Sequence, residues 1–231
     1  MKSLLAISPK LPQRVDLTPF SQCLDFLKSD YQLTFVDSLE RFETSSFEDY
    51  TAYWKNKIAQ AMDTYDAFIG FSLGGVLLQN SLDAFYNKNK TIILCSPPSK
   101  LDHTLNEKLS KILDASKAGR SIDAIGMLHQ YVFDDANFDF EKIRQEPWQD
   151  ITSRVQFGLG YVLNHRFEQA VIASKTRVFQ LVGERSKLVT KDNVLLTPNS
   201  TLVIVPNAGN RVLEDNPAFS QAKIKEWLNV K

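Results

Sequence analysis

One short segment of the chain carries the residues best suited to chemistry. Gly70-Phe71-Ser72-Leu73-Gly74 matches the pattern G-x-S-x-G, and it lies between a short apolar run and a helical pattern. In that context the serine sits on a sharp, strained turn, and glycines on either side remove side chains that would collide with it. We therefore predict that Ser72 is a nucleophile able to attack an acyl carbon.

Six short runs rich in β-branched and aromatic residues predict the strands that must position this turn. They lie at 4–7, 33–36, 67–71, 91–95, 178–182 and 202–205. Amphipathic helical patterns separate most of these runs. This alternation predicts an α/β fold with a doubly wound, mainly parallel sheet.

One long stretch interrupts the alternation. Residues 100–170 contain no convincing strand and carry apolar residues at helical spacing in three successive segments. We predict that this stretch is a helical lid insertion over the carboxyl edge of the sheet. The core domain then consists of residues 1–99 and 171–231.

Composition excludes several classes of function. The 231 residues contain 27 Lys and Arg against 27 Asp and Glu, and a balanced charge argues against nucleic-acid or anionic-membrane binding. Cys23 and Cys95 have neither metal-site spacing nor a disulfide pattern, which predicts no metal and a reducing, cytoplasmic location. No apolar run approaches the ~18 residues of a membrane span. The apolar start is interpreted as the first strand rather than a signal peptide, because prolines and charges soon follow.

Four segments together carry a resemblance to a known family. They are Gly70 to Gly75, Cys95-Ser96-Pro97-Pro98 after the next predicted strand, residues 182–189, and residues 207–217. With these segments the chain resembles the α/β-hydrolase superfamily over nearly its whole length. Within it, the chain is most similar to small lid-bearing carboxylesterases such as the pimeloyl-carrier-protein methyl ester esterases.

The resemblance implies a catalytic triad in which this chain keeps one member of three. Ser72 matches the nucleophile, but Ser186 occupies the position of the acid and Asn210 that of the basic histidine. An amide has no basic lone pair near neutral pH, and a hydroxyl cannot balance the charge of an imidazolium. The resemblance also implies an oxyanion hole formed by the backbone N–H groups of Leu73 and Lys10, because Pro9 has no N–H.

A histidine from elsewhere could replace the missing base. His103 lies seven residues after Ser96, beside Asp102, and is kept as a possible alternative base, although a solvent-exposed position is the favoured interpretation. His129 is interpreted as packing within the lid, and His165 as ending a lid helix.

The sequence therefore predicts a protein derived from a serine ester or thioester hydrolase, with impaired catalysis and no cofactor. Its expected ligand is an acyl group or a small apolar molecule bound under the lid. Two alternatives stay open. One is an active carboxylesterase or thioesterase that uses Ser72 with a base outside the family pattern. The other is a non-catalytic interaction module whose lid surface binds a protein partner.

Overall fold

Six parallel strands form the centre of the protein, in the order β2-β1-β3-β4-β5-β6. The computed structural model describes residues 1–9, 17–44, 46–86, 88–133, 148–164 and 176–230. The strands are β1 (Lys2–Ile7), β2 (Tyr31–Val36), β3 (Ala67–Phe71), β4 (Thr91–Cys95), β5 (Val178–Gly183) and β6 (Ser200–Val205). All six predicted strands are confirmed. Several extend further than their apolar runs, because pairing such as Lys2 with Tyr31 and Val178 with Ser200 continues the ladder through polar residues.

Helices connect the strands on both faces of the sheet. They are α1 (Thr18–Gln22), α2 (Phe47–Ala61), α3 (Leu73–Gln79), α4 (His103–Lys117), α5 (Ser121–Val132), α6 (Trp148–Asn164), α7 (Val212–Asp215) and α8 (Pro217–Leu228). Several begin at a capping side chain. The Ser46 hydroxyl accepts from the Asp49 N–H ahead of α2, and the Asp102 carboxylate accepts from the Leu105 N–H ahead of α4.

Two apolar layers cover the two faces of the sheet. Successive side chains of a strand point to opposite faces, so Phe68 of β3 packs in one layer and its neighbours Ala67 and Ile69 pack in the other. The first layer includes α2, α3 and the helices that follow β4, and the second includes α1 and α8. The doubly wound α/β class is therefore confirmed.

Three helices, α4, α5 and α6, fill the described residues between β4 and β5, and no strand occurs among those residues. We call α4–α6 the insertion. Its last helix is fixed to the core by polar contacts. Arg154 lies 2.8 Å from both carboxylate oxygens of Asp37, and the Tyr161 hydroxyl accepts from the Asn80 amide at 2.8 Å. Among the described residues, no helix is long and apolar enough to cross a membrane.

Candidate functional site

Ser72 lies on the turn between β3 and α3, as the G-x-S-x-G pattern predicts. Its backbone angles are φ 46° and ψ −113°, a region that residues with a side chain rarely adopt. The Ser72 N–H donates to the Cys95 carbonyl oxygen of β4 at 2.9 Å. This bond joins the strained turn to the neighbouring strand and holds the serine at the carboxyl edge of the sheet.

Close backbone contacts explain the glycines around the turn. A Cβ added to Gly74 would lie 2.4 Å from the Ile7 carbonyl oxygen, and one added to Gly70 would lie 2.7 Å from the Gly74 carbonyl oxygen. Neither backbone can yield without moving a strand or the turn itself. The predicted collision with the turn is confirmed at position 70, whereas at position 74 the collision is with the end of β1.

The loops after β5 and β6 bring Ser186 and Asn210 together. A Cβ on Gly183 would lie 1.9 Å from the Gly209 carbonyl oxygen, so the two loops approach as closely as backbones allow. The Arg185 N–H donates to the Ala208 carbonyl at 2.8 Å. As a result the Ser186 hydroxyl lies 3.5 Å from the Asn210 amide oxygen Oδ1, at the long end of hydrogen-bond range. Both side chains are buried.

A carboxylate behind the β6 loop fixes the backbone next to Asn210. The Gly209 N–H donates to Asp215 Oδ2 at 2.9 Å, and Asp215 Oδ1 lies 3.5 Å from the Arg211 guanidinium. Asp215 belongs to the short helix α7 that follows the loop. The position of the Asn210 amide is therefore set by the structure on both sides of it.

A cavity of about 520 Å³ lies between the sheet edge and the insertion. This is a volume typical of small-molecule sites. Ser72, Leu73 and Asn210 all line it, and Ser186 lies behind Asn210, outside the lining. Among the lining residues, hydroxyl, imidazole, amide or charged side chains belong to Ser72, His129, Asn210, Arg211 and Glu214. Most other lining side chains are aliphatic or aromatic, many of them from α4, α5 and α6.

His103 is not among the residues that line this cavity. It is the first residue of α4, its side chain is 93 % exposed, and its Nδ1 lies 4.0 Å from Glu107. The Asp102 cap starts the helix immediately before it, and the imidazole lies on the solvent side, which gives no support to its role as an alternative base. Lys10 and His165 lie outside the described residues, so the oxyanion role of Lys10 stays a prediction.

His129 is the histidine that lines the cavity in the part of the chain that the structure describes. It stacks on Phe133 with ring centroids 4.1 Å apart and planes 11° from parallel. The sequence predicts that it packs within the lid. Its spacing of four residues after Ile125, another lining residue, is the signal that could have assigned it to the cavity face.

Two charged residues, Arg211 and Glu214, also line the cavity. The sequence favours a solvated carboxylate at Glu214 and predicts no site role for Arg211. The Arg211 guanidinium lies 4.0 Å from the centre of the Phe133 ring, and its Nε is buried without a hydrogen-bond partner among the described residues. The Glu214 side chain is exposed to solvent, but the surrounding protein desolvates it in part and so raises its pKa. The positive charge of Arg211 opposes that rise. The sequence feature that could have assigned both to the cavity is their position, because both follow Asn210 within four residues.

The arrangement offers a hydroxyl, an amide and two opposite charges in a largely apolar cavity. Ser72 could attack an acyl carbon only if a base removed its proton, and neither Asn210 nor Ser186 has that property. The described residues contain no group of His, Cys, Asp or Glu side chains able to hold a metal ion.

Comparison with known proteins gives matches by structure alone. No protein-family model and no curated protein sequence matches the chain. The 2-hydroxy-6-oxo-6-phenylhexa-2,4-dienoate hydrolase of Rhodococcus sp. strain RHA1 is similar with a TM-score of 0.76 and 14 % identity, over 99 % of this chain and 91 % of that one. MenH from S. aureus has a TM-score of 0.70 and 15 % identity, over 99 % and 93 %.

A thermophilic esterase from Thermogutta terrifontis is also similar, with a TM-score of 0.68 and 16 % identity, over 99 % of this chain and 90 % of that one. At such identities a structural likeness carries the fold and not the activity. The strand order, the strained serine turn and these likenesses agree, and the chain has the α/β-hydrolase fold.

Proposed function

We propose that this protein binds an acyl group or a small apolar molecule in the cavity above Ser72 and hydrolyses esters slowly or not at all. One observation carries the proposal. Asn210 lines the same cavity as Ser72 and contacts Ser186, so an amide and a hydroxyl stand where the resemblance implies a base and an acid.

The chemistry of these groups supports weak catalysis. Attack by a serine requires that its proton leave as the new bond forms, and a neutral amide does not accept that proton near neutral pH. A serine hydrolase that loses a triad member keeps only about 10³–10⁴-fold acceleration over water, from its oxyanion hole and binding. Ser72 then acts as a polar group of the cavity floor rather than as an activated nucleophile.

A fluorophosphonate probe tests the proposal directly, because such probes label activated serines without needing the natural substrate. We expect no labelling of Ser72 over a time in which a working serine hydrolase is labelled completely. Ser72→Ala serves as the matched background. Rapid labelling of the wild type that disappears in Ser72→Ala would contradict the proposal.

A second candidate function is an active ester or thioester hydrolase with a base from the insertion. The observation that favours it is His129, which lines the same cavity as Ser72. If this candidate is correct, hydrolysis of short p-nitrophenyl esters will be efficient and will fall sharply in both Ser72→Ala and His129→Gln. Equal rates in the wild type and His129→Gln exclude it, and His103→Gln serves as the control on an exposed histidine.

A further inference from the structure

The polar and apolar parts of the cavity come from different parts of the fold. Ser72 follows β3, and Asn210, Arg211 and Glu214 follow β6, so these four polar residues belong to the carboxyl edge of the sheet. The insertion contributes mostly aliphatic side chains, with His129 as its polar exception. A ligand that fits has a polar end towards the sheet and an apolar body towards the insertion.

Ser186 and Asn210 determine the hydrogen-bond character of the polar end. Because position 186 is a serine, the loop after β5 places no negative charge next to Asn210 at that position. The Ser186 hydroxyl can donate to Asn210 Oδ1, which leaves the amide N–H₂ of Asn210 as the group available to the cavity. The Ser72 hydroxyl can donate as well. Both side chains therefore suit a ligand that accepts hydrogen bonds.

Arg211 adds a cation with an unused donor. Its Nε is buried and has no hydrogen-bond partner among the described residues, and a buried donor left unpaired is costly. Its contact with Asp215, at 3.5 Å, is long for a charge-assisted hydrogen bond. A planar guanidinium is well matched to the two oxygens of a carboxylate.

Glu214 is the group that opposes an anion at this end. Its raised pKa means that its neutral form is more accessible than that of an ordinary glutamate, and the Arg211 charge lies near enough to act on it. An incoming negative charge would favour the protonated form further. Glu214 therefore weakens the binding of an anion but does not prevent it.

We infer that the ligand of this cavity is a monocarboxylate, whose carboxylate is bound by Asn210, Arg211 and the Ser72 hydroxyl and whose apolar body packs against the insertion. This inference rests on the proposed function, because it requires a cavity that binds a ligand. It adds the chemical class of the polar end and assigns Arg211 as the residue that selects it.

Calorimetric titration of the full chain with matched pairs of ligands tests the inference. The first pair is decanoate and decan-1-ol, below their micelle or solubility limits, and the second is 4-phenylbutyrate and 4-phenylbutanol. The pairs separate aliphatic from aromatic bodies while changing only the polar end. We expect the acid of at least one pair to bind about tenfold or more tightly than its alcohol, as for a hydrogen bond to a charged group.

Three variants that change charge locate the preference. Arg211→Gln and Asn210→Asp should each weaken binding of the preferred acid about tenfold while changing that of the alcohol about twofold or less. Glu214→Gln removes the opposing carboxylate and should strengthen binding of the acid alone. Circular dichroism and thermal unfolding check that each variant is folded. The comparison of acids with alcohols on the wild-type protein stands even if a variant fails to fold.

The possible outcomes distinguish a failure of the monocarboxylate inference from a failure of the proposed function. If neither acid nor alcohol binds, the proposed function fails. If alcohols bind as tightly as acids or more tightly, the cavity binds ligands but the monocarboxylate inference is overturned. A preference for acids that persists unchanged in Arg211→Gln overturns the assignment of Arg211.

Discussion

At the residue scale, our proposal is that the side chain at position 210 limits what Ser72 can do. An imidazole there would accept the serine proton and stabilise the developing charge, but the Asn210 amide can only donate or accept hydrogen bonds. The strained backbone of Ser72 and the close glycine contacts around it are nevertheless retained. The geometry of a nucleophile turn is thus present, and our proposal is that Asn210 and Ser186 leave its serine without activation.

Restoring both missing groups tests this view. Asn210→His supplies a base with no orienting partner, and Ser186→Asp supplies a carboxylate with nothing to orient. Triad members act as a unit, so the double variant should raise kcat/KM for p-nitrophenyl butyrate at least about tenfold beyond the product of the two single effects. Adding Ser72→Ala to the double variant should remove the gain.

A different result from the double variant would be informative about the rest of the site. If it stays folded and gains no activity, the loss extends beyond the triad to the donors that stabilise an oxyanion. Efficient ester hydrolysis by the wild-type protein would instead show that an unrecognised base acts on Ser72. His129 would then be the first residue to substitute.

At the element scale, α6 is held to the core by a buried ion pair. Arg154 is only 2 % exposed, and its guanidinium contacts both carboxylate oxygens of Asp37, which follows β2. Asp37 Oδ1 also accepts from the Leu39 N–H at 3.0 Å. The helix that carries cavity residues Ile151, Val155 and Leu159 is therefore positioned by a contact outside the cavity.

Breaking this pair from one side should be strongly destabilising. Asp37→Asn keeps the shape of the side chain but removes the carboxylate charge that lies against the buried Arg154 guanidinium, and we expect a loss of about 3–5 kcal/mol in the free energy of unfolding. Adding Arg154→Met should recover part of that loss, because the buried positive charge is then removed as well. Urea denaturation measures both variants.

The exposed pair between Lys223 and Glu226 provides the control for that experiment. Glu226→Gln should change the free energy of unfolding by less than about 1 kcal/mol, because exposed pairs contribute little. A similarly small effect of Asp37→Asn would show that the buried pair does not position α6.

At the scale of the whole molecule, the same apolar layer holds both cysteines, with Cys95 buried and Cys23 half-buried. Burial raises the pKa of Cys23 from 9.0 to about 12, with a smaller contribution from Glu214, and it raises that of Cys95 well above its ordinary value. The folded protein therefore keeps these thiols protonated at pH values where an unfolded chain would ionise them. Thiolate chemistry then depends on unfolding.

The folded protein should consequently lose stability as the pH rises from 9 towards 12. Below pH 9 Cys23 is protonated in both states and contributes no pH dependence, whereas above it the unfolded chain releases a proton that the folded chain retains. Cys23→Ala should show a shallower alkaline decline in urea denaturation than the wild type. Parallel declines of the two proteins would contradict the raised pKa.

Reactivity of the thiols gives an independent measurement. A chromogenic disulfide reagent should react slowly at about pH 8 with the thiols of the native protein and quickly with those of the protein unfolded in urea. The thiolate is the reactive form, and unfolding makes it more accessible. Fast reaction of Cys23 without denaturant would show that its surroundings are more open than the structure indicates.

The sequence by itself determined the six strands and the strained turn at Ser72, and through a resemblance it predicted Ser186 and Asn210 at the positions of the acid and the base. The strands and the turn depend mostly on local rules. Short β-branched runs form buried strands, and Gly70 is required by the turn itself, whereas Gly74 is required by the close approach of β1. The identities of Ser186 and Asn210 could be interpreted only through a resemblance, because nothing local marks a missing acid or base.

The tertiary structure alone decided which side chains share the cavity. Of the two histidines, the sequence favours His103 as an alternative base and predicts that His129 packs within the lid, but a helix cap leaves the first in solvent while packing of the insertion brings the second to the cavity with Ser72. Arg211 and Glu214 lie in the segment 207–217 that carries part of the resemblance, but the resemblance assigns them no role. They line the cavity because the ends of β3 and β6 meet at one edge of a parallel sheet, and that meeting depends on the packing of strands more than a hundred residues apart in sequence.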